Sequence, residues 1–326
     1  MPDATESMRK MRAVVYDRYG GPENLRLASI QVPEPAKDEI RVTVSACAVN
    51  LSDWEYLVGS PFYTRLINGL IRPRSNVLGS DIVGVIDRLG SNVSEFRVGQ
   101  RVMGDFVMKR RGFAEYACMP ASEAIVVPDG LSDEVAACLP QAGGIAVTGS
   151  VGLKAGSKLL INGAGGGSGT MALQLAKAAG SHVTAVDNDK KIEWLKTLGA
   201  DEVMDYRKHD FAKSGKKWDV ILDMVATRGP RKIAGVLSEG GVYKAVGGSV
   251  PVLLSLLLGG RFWPRNCSIG MLMVPSGRAL TERVARLALQ GQITPHLESV
   301  LPLSSVPEAI LRTGLGEVRG KIVIRP

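Results

Sequence analysis

Residues 159–187 read LLINGAGGGSGTMALQLAKAAGSHVTAVD. Lys158-Leu159-Leu160-Ile161 is a short apolar run closed by glycines, the pattern of a buried parallel strand. Gly163 to Gly169 forms a glycine cluster. Met171, Leu173, Leu175 and Ala176 then fall at mixed helical spacing up to Gly180, a C-cap residue. His182 to Val186 is a second strand that ends on Asp187. Strand, glycine turn, helix, strand and terminal acid make one βαβ unit, and its chemistry favours a dinucleotide. Unpaired amides at a helix N-terminus carry the positive end of the helix dipole. A pyrophosphate reaches them only where no side chain intrudes. Asp187 stands where a carboxylate accepts hydrogen bonds from the adenosine ribose. The strict G-x-G-x-x-G spacing is not met, because its first position is Ala164. Gly163, Gly166 and Gly169 instead give G-x-x-G-x-x-G, with Gly167 and Ser168 inside the turn. A glycine turn alone also fits a tight structural bend. The flanking strands and the acid favour the dinucleotide.

The chain has 326 residues, enough for two domains. Hydrophobic residues make up 45% and charged residues 22%, ordinary values for a globular protein. The net charge is +8. Its basic residues are scattered, densest at Lys109-Arg110-Arg111 and Lys213 to Lys217. Aromatics are 5%, so no stacking platform for single strands is evident and no nucleic-acid partner is expected. Cys47, Cys118, Cys138 and Cys267 are far apart and form no C-x-x-C, which suggests neither a structural zinc nor a disulfide framework. Reduced thiols and a cytoplasmic location are expected. The N-terminus lacks an apolar signal core. The longest apolar run, Val250 to Leu258, is too short to span a bilayer.

Residues 1–10 are polar and expected to fray. Ala13 to Tyr16, Leu25 to Leu27 and Glu39 to Ala48 read as strands, the last with period-two alternation. Ser52-Asp53 can cap a short helix through Leu57. Pro61 to Asn76 reads as a long, basic, irregular segment. Val77 to Val85, Val98 to Val102 and Phe113 to Met119 add strands. Many short strands divided by Gly and Pro suggest a partly closed barrel. Beyond Ile125, strand and helix alternate. Helices are expected at 131–138, before Gly152, at 190–198 and at 233–237. Strands are expected at 202–204, 219–223 and 241–246, so the second half is a doubly wound parallel α/β sheet. A strand at Cys267 to Met273, helices at 276–289 and 307–313, and a last strand at 321–324 complete the reading.

This layout resembles the zinc-independent, quinone oxidoreductase-like branch of the medium-chain dehydrogenase/reductase superfamily. The resemblance runs from Met11 to Pro326. It rests on Val49-Asn50-Leu51-Ser52-Asp53-Trp54, Leu78 to Val85, Phe96 to Val102, Gly112 to Tyr116, Pro140 to Gly143, the glycine turn, Leu198 to Asp201 and Gly320 to Val323. It implies a GroES-like catalytic domain from residues 1–125 and 263–326, with a Rossmann domain at 126–262 inserted. The 263–275 strand is shared ground that can join the Rossmann sheet. It also implies a cleft where nicotinamide meets substrate.

Zinc-dependent relatives carry Cys where Asn50 stands and Gly-His-Glu where Gly79-Ser80-Asp81 stands. No metal site is therefore expected. What remains is hydride transfer from NAD(P)H to a quinone or an activated carbon–carbon double bond, on a small lipophilic substrate. Asn50 aligns with the family's active-site Asn and is the leading catalytic candidate, against its reading as a cap. The family often has Tyr or Lys where Glu55 stands. Tyr56 and Tyr63 are phenols that can replace that proton donor, as can water. Ile145 stands where relatives usually have Thr. These two departures support an alternative, a non-catalytic dinucleotide-binding or sensing module of the same fold.

Val186-Asp187-Asn188-Asp189-Lys190 replaces a segment that binds the 2′-phosphate of NADP in many relatives. Asp187 suits a free 2′-hydroxyl, so NAD(H) is favoured over NADP(H). Lys190 or Lys191 with Tyr206 can form a phosphate group's seat instead. Val246-Gly247-Gly248 matches the turn that meets the nicotinamide carboxamide, and Lys321 belongs to the expected cofactor set. Val250 to Trp263 is apolar, then basic, and fits a substrate flap, a lipid-touching surface or simple packing. The resemblance implies a homodimer that pairs Cys267 to Met273 edge to edge.

Overall fold

The computed structural model describes residues 9–258 and 266–326. Residues 1–8 of the expected frayed terminus and 259–263 of the apolar-then-basic segment lie outside the described residues. In chain order the first elements are β1 (Lys10–Val15), β2 (Arg26–Gln31), β3 (Glu39–Ala48), α1 (Leu51–Val58), α2 (Tyr63–Asn68), β4 (Asp81–Leu89), β5 (Arg101–Asp105), β6 (Tyr116–Pro120) and β7 (Ile125–Val126). Then come α3 (Asp133–Ala137), α4 (Pro140–Gly149), β8 (Lys158–Asn162), α5 (Gly167–Ala178), β9 (His182–Asp187), α6 (Asp189–Thr197) and β10 (Glu202–Asp205). The chain continues through β11 (Trp218–Asp223), α7 (Pro230–Ala234), β12 (Leu237–Ala245), α8 (Val250–Leu258) and β13 (Ser268–Met271). It ends with α9 (Arg278–Leu289), β14 (Leu297–Pro302), α10 (Val306–Gly314) and β15 (Lys321–Arg325).

Two compact units result. The first takes residues 1–141, 276–289 and 297–326; the second takes 142–275 and 290–296. The boundary therefore falls at 141/142 rather than at the expected 125/126, and at 275/276 rather than 262/263. The reason is visible in the first unit's bonds. Arg101 grips Asp133 at 2.6 Å and Leu131 O at 2.6 Å, and the Gln141 N–H reaches Asp81. These tie the stretch from 126 to 141 to the β-rich unit.

In that unit β1 and β2 form an antiparallel ribbon, and β14-β15-β3-β4-β5-β7 form one sheet with β6 paired to β3. Ile40, Val42, Ile82, Ile86, Val102 and Phe113 fill its core. In β3 both faces are mostly buried, so its alternation marks two packed sides rather than one wet side. The strand expected at 98–102 starts only at Arg101, because Gly99 turns the chain at φ +88 with Gln100 N–H on Arg97 O. The segment 61–76, expected to be irregular, contains α2.

The second unit holds a six-stranded, wholly parallel sheet in the order β10-β9-β8-β11-β12-β13. Numbered from its own first strand, this is the 3-2-1-4-5-6 order of dinucleotide-binding sheets. β13 joins this sheet. The helix expected at 233–237 is α7, which stops at Ala234 so that Leu237 can open β12. No helix among the described residues is long and apolar enough to cross a membrane.

Candidate active site

The glycine turn in the second unit leaves β8 and enters α5. It hangs on β9, because Gly163 N–H and Ala164 N–H both donate to Val186 O, at 2.9 and 3.1 Å. Gly163 takes φ +84, a conformation that favours glycine. At Gly169 a Cβ would lie 2.5 Å from Gly163 O and 2.6 Å from Ala164 O, so only glycine lets the helix start this close to the turn. Gly166 is the N-cap of α5, and Gly167, Ser168 and Gly169 form its first turn. Their N–H groups have no partner within the helix. They lie at the carboxyl end of β8, where the strand order reverses and ligands bind in such sheets. Across that reversal Asn162 donates to Asp223 at 2.7 Å, and Tyr243 donates to the same carboxylate at 2.9 Å. Burial pushes the Asp223 carboxyl up, while these donors hold it back.

Asp187 ends β9, as expected, and is buried. One of its oxygens accepts from Gly165 N–H at 2.8 Å and the other from Asn188 N–H at 2.9 Å. Gly165 is a residue the sequence reading passed over. A Cβ there would meet Asp187 Oδ2 at 3.0 Å. Lys191 is buried, and its ammonium stands 3.5 Å from Asp187. Lys190 and Tyr206 are exposed. Gly247 accepts from Ala226 N–H at 2.8 Å, and a Cβ on Gly248 would sit 2.2 Å from Ala226 O. This close passage explains the glycine pair.

In the first unit Asn50 is the N-cap of α1 with extended backbone and forms a capping box with Asp53. Its Nδ2 donates to Asp81 at 3.1 Å, and its Oδ1 accepts from the Lys321 ammonium. In the capping box Asp53 accepts from Asn50 N–H at 2.9 Å, and its other oxygen accepts from Gly79 N–H at 2.8 Å. Lys321 also donates to Val49 O at 2.8 Å and is buried. It was expected on the cofactor; the structure instead commits its ammonium to this cluster. Asp105 completes it, accepting from Gln141 Nε2 at 3.3 Å and from Val107 N–H at 3.0 Å. Burial pushes the Asp81 carboxyl well up, and the Asp105 charge adds to this, while Lys321 opposes it. Burial also raises the Cys47 thiol, and the Cys138 thiol to about 12, so both stay protonated at neutral pH.

The three phenol and acid candidates part company. Tyr56 is buried under the Arg110 guanidinium. Tyr63 is exposed, and its hydroxyl donates to Glu55 at 3.5 Å. Burial pushes Glu55 up to about 7, against the pull of Tyr63 and Arg110. The sequence had named Glu55 only as a departure.

Residues 36–129 match a family described as the alcohol dehydrogenase GroES-like domain, and residues 198–324 match one described as zinc-binding dehydrogenase. The chain is 31% identical over 339 residues to a chloroplastic quinone-oxidoreductase, QR1, of Triphysaria versicolor, covering 97% of this chain and 98% of that one. The chain belongs to the medium-chain dehydrogenase/reductase superfamily. It is also 30% identical over 331 residues to 2-methylene-furan-3-one reductase of Solanum lycopersicum, covering 97% of this chain and 79% of that one. Among solved structures, the quinone oxidoreductase from Coxiella burnetii superposes with a TM-score of 0.87 at 27% identity, covering 98% of this chain and all of that one.

The donor set around Asn50 does not suit the zinc ion of the zinc-binding members. Asn50 Oδ1 already accepts from an ammonium, which would repel a dication. The glycine turn, by contrast, fits a dinucleotide: its backbone is open where a pyrophosphate needs it, and a carboxylate closes the far strand.

Proposed function

We propose that the protein is a metal-free reductase that passes hydride from NAD(P)H, NADH in preference, to a quinone or an α,β-unsaturated carbonyl compound. The observation that carries this reading is the Lys321–Asn50–Asp81 chain of hydrogen bonds. It puts a cation and an amide where zinc-dependent members of the superfamily hold their metal. An acceptor reduced here must accept hydride without a Lewis acid, which favours quinones and enones over simple alcohols and ketones. When bound, the reduced nicotinamide supplies the hydride.

The chain's own residues divide the remaining work. The first-turn amides of α5 hold the pyrophosphate. Asp187 accepts from the adenosine ribose with the lone pairs its present donors leave free. Lys321 fixes the Asn50 amide, because an ammonium must face the oxygen. The nitrogen then has one hydrogen on Asp81 and a second to orient or stabilise a developing oxyanion. Reduction of an enone also needs a proton at carbon. Tyr63, backed by Glu55, supports that role, since a carboxyl near 7 can return the proton at neutral pH. Tyr56, under Arg110, drops out of it. β13 is an edge strand of its sheet among the described residues, which supports the homodimer paired edge to edge.

The test is titration of the purified chain with NADH and NADPH, then addition of a small quinone and a small enone. NADH oxidation by either acceptor is the expected result. Asp187→Ser is expected to tighten NADPH binding about tenfold, by removing a negative charge beside the 2′-position and releasing Lys191. Turnover restored only by added zinc would overturn the metal-free reading, and a wild-type preference for NADPH the choice of cofactor.

A further inference from the structure

Helix α2 is inside out. Thr64 and Asn68, one turn apart on one face, are 0% and 5% exposed. The opposite side and the turn after it carry Phe62, Leu66, Ile67, Leu70 and Ile71, with Leu66 at 60% exposure and Ile71 at 85%. The hydrophobic effect would place these residues the other way round. Four hydrogen bonds hold the inverted setting. Asn68 Nδ2 donates to the Tyr16 hydroxyl at 2.9 Å, and its Oδ1 accepts from Ser75 N–H at 3.0 Å. Thr64 Oγ1 donates to Pro61 O at 2.8 Å, and the Tyr19 hydroxyl donates to Gly69 O at 2.6 Å. The polar side chains are thus used as anchors, and the apolar ones are displayed. A contiguous exposed apolar patch of this kind marks an interaction surface.

Charge says what covers it. From Ser60 to Asn76 the sequence holds three arginines and no acidic residue. Arg65 is spent on Gly59 O at 3.0 Å and on the Tyr19 ring. Arg72 and Arg74 are exposed at the patch rim and make no ion pair among the described residues. A second copy of this chain is a poor fit. Symmetric self-pairing puts each patch against itself and brings both arginine pairs together. An apolar wedge with a basic, acid-free rim matches a surface that is apolar below and anionic above. We propose that the outward face of α2 and the Leu70-Ile71 turn docks on an anionic lipid bilayer, with Leu66, Leu70 and Ile71 at the acyl boundary and Arg72 and Arg74 on the headgroup phosphates. Six helical residues cannot span the bilayer, so the contact is interfacial. This inference does not rest on the reductase reading.

The test is co-sedimentation of the full chain with phosphatidylcholine vesicles, with and without phosphatidylglycerol. The expected result is binding to the anionic vesicles that weakens as salt is raised. Arg72→Ser and Arg74→Ser should each reduce it about fivefold. Leu66→Ser with Ile71→Ser should reduce it at least about tenfold. All four residues are exposed, so circular dichroism and the thermal midpoint should not move, which separates lost docking from lost folding. Wild-type chain left in the supernatant overturns the proposal. So does binding that the four substitutions leave intact, which would move the contact elsewhere. Self-association abolished by Leu66→Ser with Ile71→Ser, without vesicle binding, would assign the patch to a second copy instead.

Discussion

Lys321 is the residue on which the first unit's polar cluster depends. Its ammonium is the cation that faces Asn50 and offsets the buried Asp81 and Asp53 carboxyls. Removing one member of a buried charge cluster leaves the others uncompensated. Lys321→Met is therefore expected to destabilise the fold by about 3 kcal/mol, measured by urea unfolding. The loss should shrink in acid, where the carboxyls take up protons and no longer need the ammonium. Glu55 gives a second pH-dependent case. Its folded value near 7 lies above the usual 4.5, so the folded state holds the proton more tightly than the unfolded chain. Its contribution is full below about 4.5 and is lost as pH rises through 7. Glu55→Gln is expected to flatten the pH dependence of the unfolding free energy across that window. It should also stabilise the protein above it by about 2 kcal/mol, allowing for solvent screening. An unchanged slope would mean that Glu55 titrates as an exposed carboxylate.

At the scale of elements, the glycine turn joins β8, α5 and β9 through backbone alone. Its geometry is set by Gly163 N–H and Ala164 N–H on Val186 O and by the Cβ-free approach at Gly169. Gly169→Ala forces a methyl against two carbonyl oxygens. It is expected to destabilise the chain by about 1–3 kcal/mol and to weaken NADH binding, read by calorimetry on the folded variant. Destabilisation without loss of binding would confine Gly169 to packing. This unit was legible because each part is local: a four-residue apolar run, a turn needing positive φ, a helical period and a terminal acid lie within one stretch. Helix α2 was not. Its apolar spacing predicts nothing useful when the buried face is the polar one, and the tyrosines that hold Asn68 and the Gly69 carbonyl, Tyr16 and Tyr19, come from a distant part of the chain.

For the whole molecule, two units share one chain that leaves the first, builds the second, returns, and gives residues 290–296 to the second before it ends in the first. The sequence placed that exchange too early, because the 126–141 stretch has helical spacing like the residues after it but is tied back by Arg101 and Asp81. In the parallel sheet, β13 has a partner on one side only, among the described residues. Ile269→Pro removes an N–H from that edge. It is expected to convert the proposed dimer to a monomer by light scattering, while NADH binding persists. A wild-type monomer would instead leave the edge unused.

The sequence by itself determined the parallel sheet, the glycine turn, Asp187 at the end of β9 and the position of Asn50. All of these come from periodicity and turn chemistry within short stretches, or from motifs quoted in order. Tertiary structure alone decided that Asn50, at the cap of its helix, also meets Lys321 and Asp81. It also decided that Lys321 lies in this cluster, that Tyr63 rather than Tyr56 meets Glu55, and that α2 turns its apolar side outward. Except for Tyr63 and Glu55, which are eight residues apart, the partners come from segments far apart in the chain, and no local pattern records which hydrogen bonds a side chain will find once the strands have closed around it.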